Sequence, residues 1–147
     1  MIGKLLDGRY EILSKLGQGG MGDVFAARHT GTGRRVAVKL IRAEDLDRKN
    51  SHVKRFHREA RAAGQMNTKH ICQVMDTGTD PETGRPFMVM ELLEGTELGL
   101  LLKRVGPLAP DTAIDIAVQV CRGLQKAHEA GVVHRDIKPA NIFLAEK

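Results

Sequence analysis

Apolar and polar positions alternate with a period of two in the first part of this 147-residue chain. Three short apolar-rich runs are separated by glycine-rich turns, at residues 9–16, 24–29 and 35–41. In the third run Val36, Val38 and Leu40 fall on one face, and Lys39 falls on the other. This pattern predicts a meander of antiparallel strands.

The period then becomes helical over about residues 48–66, with an apolar stripe formed by Val53, Phe56, Ala60 and Ala63. Two further strand-like runs follow at residues 72–79 and 85–91. The segment 80–84 between them, Asp-Pro-Glu-Thr-Gly, has the residues of a tight turn. We therefore expect a five-stranded antiparallel sheet accompanied by one helix.

Beyond residue 95 the pattern is helical throughout. A short apolar helix near Leu98 is expected to end at Gly106, and Asp111 is placed to cap a longer helix that ends at Gly131. One side of that helix is lined by Ile114, Ala117, Val118, Cys121, Leu124 and His128. The order of elements predicts an α+β fold in two parts, residues 1–95 and 96–147.

Composition favours a folded, water-soluble protein, with 41% hydrophobic and 28% charged residues. The net charge of +5 has a large contribution from one predicted helix. A solvated helix face explains it better than a nucleic-acid interface, because no aromatic residues are interleaved for base stacking. We expect no nucleic-acid partner, although a role in docking another partner stays open.

No apolar run is long enough for a membrane span, and the N-terminus lacks a signal-peptide pattern. The chain has two cysteines, Cys72 and Cys121, without the spacing of metal ligands. Reduced thiols and a cytoplasmic location are the resulting expectation, and membrane anchoring through other segments of a longer parent protein stays open.

Gly17, Gly19 and Gly22 belong to a G-x-G-x-x-G-x-V stretch. Alone, the pattern fits a plain hairpin equally well. A P-loop is excluded because Asp-Val follows the last glycine instead of Lys and Ser/Thr, and a dinucleotide-binding unit is excluded because no helix follows. The functional interpretation that remains is a hairpin whose backbone N–H groups approach phosphate oxygens.

Lys39 lies in a Val-Ala-Val-Lys sequence within the third run, 22 residues after Gly17. A strand lysine usually faces solvent, but this one shares its face with the small Ala37, which leaves room for a flat base beside a phosphate-binding cation. Glu59 lies next to the apolar stripe of the predicted helix, and a half-buried carboxylate needs a cation. Lys39 and Arg55 are the two candidates.

Residues 88–95 read as a strand that leaves the sheet into a linker. Backbone groups there can read an adenine edge, and Met90 would limit the depth of the pocket behind it. In isolation the segment is only an edge strand. Glu97 has two interpretations, as a contact to a ribose hydroxyl or as a helix-start carboxylate favoured by the helix dipole.

Residues 134–141 read His-Arg-Asp-Ile-Lys-Pro-Ala-Asn. Asp136 can accept a hydrogen bond from a substrate hydroxyl, Lys138 can stabilise a transferring phosphoryl group, and Asn141 can hold Mg²⁺. His134 and Arg135 are better suited to orienting the loop than to reacting.

The ordered series of glycine hairpin, strand lysine, helix glutamate, linker and His-Arg-Asp loop resembles eukaryotic-type protein kinases, and most of all the bacterial serine/threonine kinases of this class. The resemblance extends over about residues 9–144. It implies transfer of the γ-phosphoryl group of ATP, with Mg²⁺, to serine or threonine hydroxyls of a protein.

The resemblance also implies roles for single residues. Phosphate contacts fall at Gly17, Gly19 and Gly22, adenine walls at Leu16, Val24, Ala37 and Phe143, and hinge hydrogen bonds at Glu91 and Leu93. Lys39 and Glu59 would form the activating ion pair, and Asp136 would be the catalytic base. Lys138 implies a serine or threonine acceptor, and Arg135 implies control by a phosphorylated activation loop.

The 147 residues do not contain the Asp-Phe-Gly, activation-loop and Ala-Pro-Glu segments of the family pattern. Without that aspartate, one metal position lacks its main ligand, and we expect the apolar side of the 111–130 helix to be exposed. Two explanations stay open: a fragment of a longer kinase, or a short protein that retains only nucleotide binding. The alternative function is therefore a non-catalytic nucleotide-binding or regulatory module.

Overall fold

A computed structural model of the chain describes residues 1–18, 22–43, 49–133 and 137–146, without the side chains of 49–52 and 55. Within this part the strands are β1 (Leu5–Leu6), β2 (Tyr10–Gln18), β3 (Gly22–His29), β4 (Arg35–Ile41), β5 (Val74–Thr79), β6 (Pro86–Glu91), β7 (Gly95–Glu97) and β8 (Phe143–Ala145). The helices are α1 (Lys49–Gln65), α2 (Leu98–Val105) and α3 (Pro110–Glu129), and a 3-10 turn spans Pro139–Asn141. None of the described helices combines the length and apolar character needed to cross a membrane.

The chain divides into two compact units. The first contains Met1–Gln65 and Cys72–Leu92, and the second contains Met66–Ile71 and Leu93–Lys147.

The first unit is built on an antiparallel sheet with the strand order β1-β2-β3-β4-β6-β5. One face carries the larger core cluster, formed by Leu6, Tyr10, Ile12, Phe25, Ala27, Val36, Val38, Leu40, Phe87 and Val89. On the other face Ile41 and Met88 pack against Phe56 and Ala60 of α1. The alternation predicted for β4 and the apolar stripe predicted for α1 are therefore confirmed.

The sheet is curled, because its second and last strands meet. Tyr10 on β2 donates a hydrogen bond from its hydroxyl to Asp76 Oδ2 on β5 over 2.8 Å. Arg9 donates to the same oxygen over 2.9 Å and to Asp7 Oδ2 over 2.8 Å. We refer to the contacts of Arg9 and Tyr10 with Asp76 as the Asp76 latch. Burial, reinforced by the bond to Asp76, raises the pKa of Tyr10 to about 12.

The turn predicted at 80–84 is present and is tied to the N-terminal segment. Asp80 is 4% exposed. Its Oδ1 accepts a hydrogen bond from the Asp7 backbone N–H over 3.1 Å, and its Oδ2 accepts one from the Thr83 hydroxyl over 2.9 Å. These bonds satisfy a buried carboxylate that would otherwise be costly to desolvate.

Three predictions about the elements need correction. The main sheet has six strands instead of five, because β1 adds the buried Leu6 opposite Tyr10. A second, two-stranded sheet of β7 and β8 was not predicted. Asp111 does not cap α3: the N-cap is Ala109, without a side-chain cap bond, and Asp111 lies in the first turn, where its charge suits the helix dipole.

In the second unit, α3 buries only a narrow strip of its surface. Gly123 and Ala127 are its buried residues, and the backbone of Gly123 lies against His70. Ile114 is 61% exposed and Val118 is 42% exposed. The prediction that α3 leaves an apolar side exposed is confirmed.

Candidate functional site

Strand register gathers several predicted site residues on one face of the first unit. Residues directly opposite each other in antiparallel strands project from the same face. Two neighbouring rows cross β3, β4 and β6 in this way: Val24 with Lys39 and Met88, and Ala26 with Ala37 and Met90. This is the face that also carries Ile41 and packs against α1. Four predicted site residues, Val24, Ala37, Lys39 and Met90, therefore share one surface.

The glycine-rich hairpin joins β2 to β3, with Gly17 opposite Val24. A Cβ atom at Gly22 would overlap the Leu40 carbonyl oxygen and lie 3.0 Å from the Leu40 carbonyl carbon. A Cβ atom at Gly17 would meet nothing within 4 Å. Packing of β3 on β4 therefore requires Gly22, while it places no such demand on Gly17. Gly19 lies outside the described residues.

Asp23 holds a charge cluster at the base of this hairpin that the sequence reasoning missed. Its Oδ1 lies 3.8 Å from Lys15 Nζ and 3.8 Å from Arg42 Nη1, and its side chain is 15% exposed. Among the described residues this oxygen is buried without a hydrogen bond. The available signal was the strand spacing, which places Lys15 near Asp23 across the hairpin.

The structure corrects the predicted environment of Glu59. Lys39 is half-buried on β4, but Glu59 is exposed on α1. The reason is helical geometry: α1 packs through Phe56 and Ala60, and successive residues are turned by about 100°, which takes Glu59 off the packed side.

Glu59 has a contact of its own, and its predicted partner is either Lys39 or Arg55. The side chain of Arg55, the alternative partner, is not among the described side chains. The pairing stays a prediction.

The end of β6 is fixed by contacts with the segment before β5. The Glu91 N–H donates to the Gln73 carbonyl over 3.0 Å, and Glu91 Oε1 accepts from the Gln73 N–H over 2.9 Å. The Glu91 carbonyl accepts a long contact from Cys72 Sγ at 3.9 Å. A carbonyl oxygen has two lone pairs, so this one can accept a further hydrogen bond. Leu93, the other predicted hinge residue, is half-buried.

The thiol of Cys72 is held in its protonated form. Burial, followed by the charge of Glu91, raises the pKa of Cys72 to about 11. The protonated thiol is the form that can donate to the Glu91 carbonyl.

In the second unit, β7 and β8 bring together two predicted ligand contacts. Glu97 lies directly opposite Phe143 in the antiparallel pair, so both side chains project from the same face. Leu98 N–H donates to the Ile142 carbonyl over 2.8 Å, and Glu146 N–H donates to the Glu94 carbonyl over 2.7 Å. Phe143 is 42% exposed. Glu97 and Phe143 were both predicted from the sequence as ligand contacts, but their pairing across two strands was not.

Lys138 and Asn141 lie at the two ends of one tight turn. The Asn141 N–H donates to the Lys138 carbonyl over 2.9 Å, and both residues are exposed. An amide oxygen such as that of Asn141 is a suitable ligand for Mg²⁺. No group of three His, Cys, Asp or Glu that could hold a metal occurs among the residues described. His134, Arg135 and Asp136 lie outside the described residues.

Leu16, the remaining predicted adenine contact, follows the same trend as Phe143. It lies on β2 immediately before Gly17 and is 53% exposed. An apolar side chain that folding leaves in contact with water can be covered by a ligand instead.

Comparison with known proteins adds independent findings. The family model described as protein kinase domain matches residues 10–147. A probable serine/threonine-protein kinase of Corynebacterium efficiens is 44% identical over 138 residues, which make up 92% of this chain and 21% of that protein. The serine/threonine-protein kinase PknB of Mycolicibacterium smegmatis is 43% identical over 143 residues, 96% of this chain and 23% of that protein.

A solved structure is similar over almost all of the chain. The crystal structure of the Mycobacterium tuberculosis PknI kinase domain matches with a TM-score of 0.81 at 27% identity, covering 99% of this chain and 58% of that one. The chain thus spans about a fifth of the length of the curated relatives it matches.

Proposed function

This chain belongs to the protein kinase domain family, and we propose that it supplies the ATP-binding and phosphoryl-transfer residues of a serine/threonine protein kinase. The observation that supports this most directly is the strand register that gathers Val24, Ala37, Lys39 and Met90 on one face. A cation beside small and apolar side chains suits a purine triphosphate, whose base is flat and whose phosphates are anionic.

Nucleotide binding is divided between the two proposed lobes, residues 1–95 and 96–147. In the first lobe, the hairpin with Gly17, Gly19 and Gly22 covers the phosphates, and Lys39 pairs with the phosphates. Leu16, Val24, Ala37 and Phe143 enclose the adenine, with Met90 behind it. The Glu91 carbonyl and the Leu93 backbone bind the adenine edge, and Glu97 binds the ribose.

The reaction is an in-line displacement at the γ-phosphorus of ATP. The acceptor is a serine or threonine hydroxyl of a protein, which loses its proton toward Asp136 while its oxygen bonds to phosphorus. The bond from phosphorus to the β–γ bridging oxygen breaks, and ADP leaves. Lys138 stabilises the transferring group, so catalysis consists mainly of positioning and charge stabilisation. We propose a cytoplasmic site of action.

Asn141 would hold Mg²⁺, which neutralises phosphate charge when bound. Asn141 is the predicted metal ligand in the described part of the chain.

The test is a thermal-shift titration with MgATP. Binding to the native state alone must raise the midpoint of unfolding as ligand increases. We expect a concentration-dependent rise for the unaltered chain and for Lys4→Met, an exposed control lysine, and little or no rise for Lys39→Met. An equal rise in Lys39→Met would reject the assignment of the phosphate-binding cation.

A further inference from the structure

We propose that Gly95 is a positioning residue, which sets β7 against β8 and thereby holds Glu97 in place to read the ribose. Glu97 and Phe143 are the paired residues at the other end of this short ribbon. The ligand part of the inference rests on the function proposed above. Its structural part can be measured without any nucleotide.

The backbone at Gly95 leaves no space for a side chain. Its φ of +138° is rarely adopted by residues with a Cβ atom. A Cβ atom here would overlap the Leu144 carbonyl oxygen, and it would lie 3.0 Å from the Leu144 carbonyl carbon and 3.2 Å from Ala145 Cα. All three are backbone atoms of β8, which cannot turn aside as a flexible side chain can. A residue other than glycine must therefore push the strands apart.

The pairing that Gly95 permits is short, so each contact in it matters. The register runs over three residue pairs, from Gly95 opposite Ala145 to Glu97 opposite Phe143. An isolated two-stranded ribbon has little stability of its own. A separation at Gly95 therefore alters the position of Glu97 two residues away.

The same pairing extends to the turn that carries Asn141. Leu98 follows Glu97, is buried, and donates its N–H to the Ile142 carbonyl over 2.8 Å. A Cβ atom at Gly99 would lie 3.6 Å from the Ala140 nitrogen, so the start of α2 is in close contact with this turn. Gly95 thus acts on the spacing between Glu97 and the Lys138–Asn141 turn, not on the ligand directly.

The experiment compares Gly95→Ala with Gly106→Ala in the 147-residue chain. Gly106 also has a positive φ, of 76°, but a Cβ atom there would meet nothing within 4 Å. Both variants place alanine in a conformation that favours glycine, and only Gly95→Ala adds a clash with β8. The structural readout is hydrogen exchange at the Leu98 and Glu146 amides, which donate across the ribbon.

The functional readout is the preference for ATP over 2′-deoxy-ATP and 3′-deoxy-ATP, measured as ratios of Kd. We expect the unaltered chain and Gly106→Ala to prefer ATP over at least one analogue by roughly tenfold, the size of one hydrogen bond to a charged group. Gly95→Ala should reduce that ratio to about twofold and speed exchange at both amides by about tenfold or more. A general loss of protein stability would weaken the binding of all three nucleotides equally and leave the ratios of their Kd values unchanged.

A second variant guards against misfolding of Gly95→Ala. Glu146→Pro removes the N–H that binds the Glu94 carbonyl, and so weakens the same end of the ribbon without a clash at Gly95. Its preference for ATP over the deoxy analogues should lie between that of the unaltered chain and that of Gly95→Ala. In Glu146→Pro, exchange is followed at the Leu98 amide alone, because proline has no amide hydrogen. Unchanged exchange at Leu98 and an unchanged ratio in both variants would overturn the inference. If the unaltered chain bound no nucleotide, the proposed function would fail, while unchanged amide exchange in Gly95→Ala would still overturn the structural part.

Discussion

Gly17 and Gly22 are the first and the last glycine of the glycine-rich motif, and they have different physical reasons to be glycine. A side chain at Gly22 would meet the Leu40 backbone, whereas one at Gly17 would meet nothing within 4 Å. We expect Gly22→Ala to lower the free energy of unfolding by roughly 1–3 kcal/mol through overpacking. Gly17→Ala should change it by less than about 0.5 kcal/mol and weaken MgATP binding instead.

Urea unfolding and nucleotide titration of the two variants separate these effects. Each variant is the control for the other, since both replace a hairpin glycine by alanine. Equal loss of stability in both would contradict the packing argument for Gly22.

Cys72 gives a prediction about pH at the scale of one residue. Its pKa is raised to about 11, so at pH 8 only about one thiol in a thousand is a thiolate. In a Cys121→Ser background, iodoacetamide should modify Cys72 slowly at pH 8 and progressively faster as the pH approaches 11. The reference is the same protein unfolded in urea, where a rate no faster than in the folded state would contradict the shift.

The sequence predicted single residues well where strand alternation decided their direction. Lys39 and Ala37 were assigned to one face of β4 from a period of two, and the register agrees. The register also places Val24 opposite Lys39, which the period alone did not predict. Glu59 was placed wrongly because it borders the apolar stripe, where the pattern does not define the edge of the buried side. The role of Gly95 was not predicted, because it depends on close contact with the β8 backbone, almost 50 residues away in the sequence.

At the scale of elements, the Asp76 latch connects strands that are not neighbours in the sheet. Tyr10→Phe removes the hydroxyl that donates to Asp76, and we expect a loss of about 0.5–1.5 kcal/mol of stability at pH 7. Chemical denaturation measures this directly.

The same side chain makes stability depend on alkaline pH. The Tyr10 pKa rises from 10.0 to about 12 on folding, so its contribution is complete below pH 10 and is lost as pH rises toward 12. The unaltered chain should lose stability over this interval more steeply than Tyr10→Phe. Parallel pH profiles for the two proteins would show that Tyr10 does not titrate with a raised pKa.

Long elements were predicted closely and short ones were not. The helices α1, α2 and α3 and the strands β2 to β6 follow the hydrophobic period over six or more residues. Strand β1 has two residues and β7 has three, too few for a period to be recognised. Their pairing partners, Tyr10 and Phe143, come from tertiary packing that a local pattern does not contain.

At the scale of the whole molecule, the polypeptide of 147 residues contains the proposed ATP-binding residues but no Asp-Phe-Gly sequence, to which the family pattern assigns a metal ligand. We expect the purified chain to bind MgATP and to transfer little or no phosphate to a generic protein acceptor. Incorporation of radiolabelled γ-phosphate measures this, with Asp136→Ala as the matched background. Transfer well above that background would contradict the expectation.

The carboxylate of Asp80 shows why an alignment boundary is a poor place to shorten this protein. The family match begins at residue 10, yet Asp7 supplies one of the hydrogen bonds to the buried Asp80 and Leu6 belongs to the core. Removal of residues 1–9 would remove one hydrogen-bond donor to the Asp80 carboxylate. It would also remove β1 and so expose the edge of β2. Recombinant versions that start there should express less soluble protein than those that keep the first nine residues.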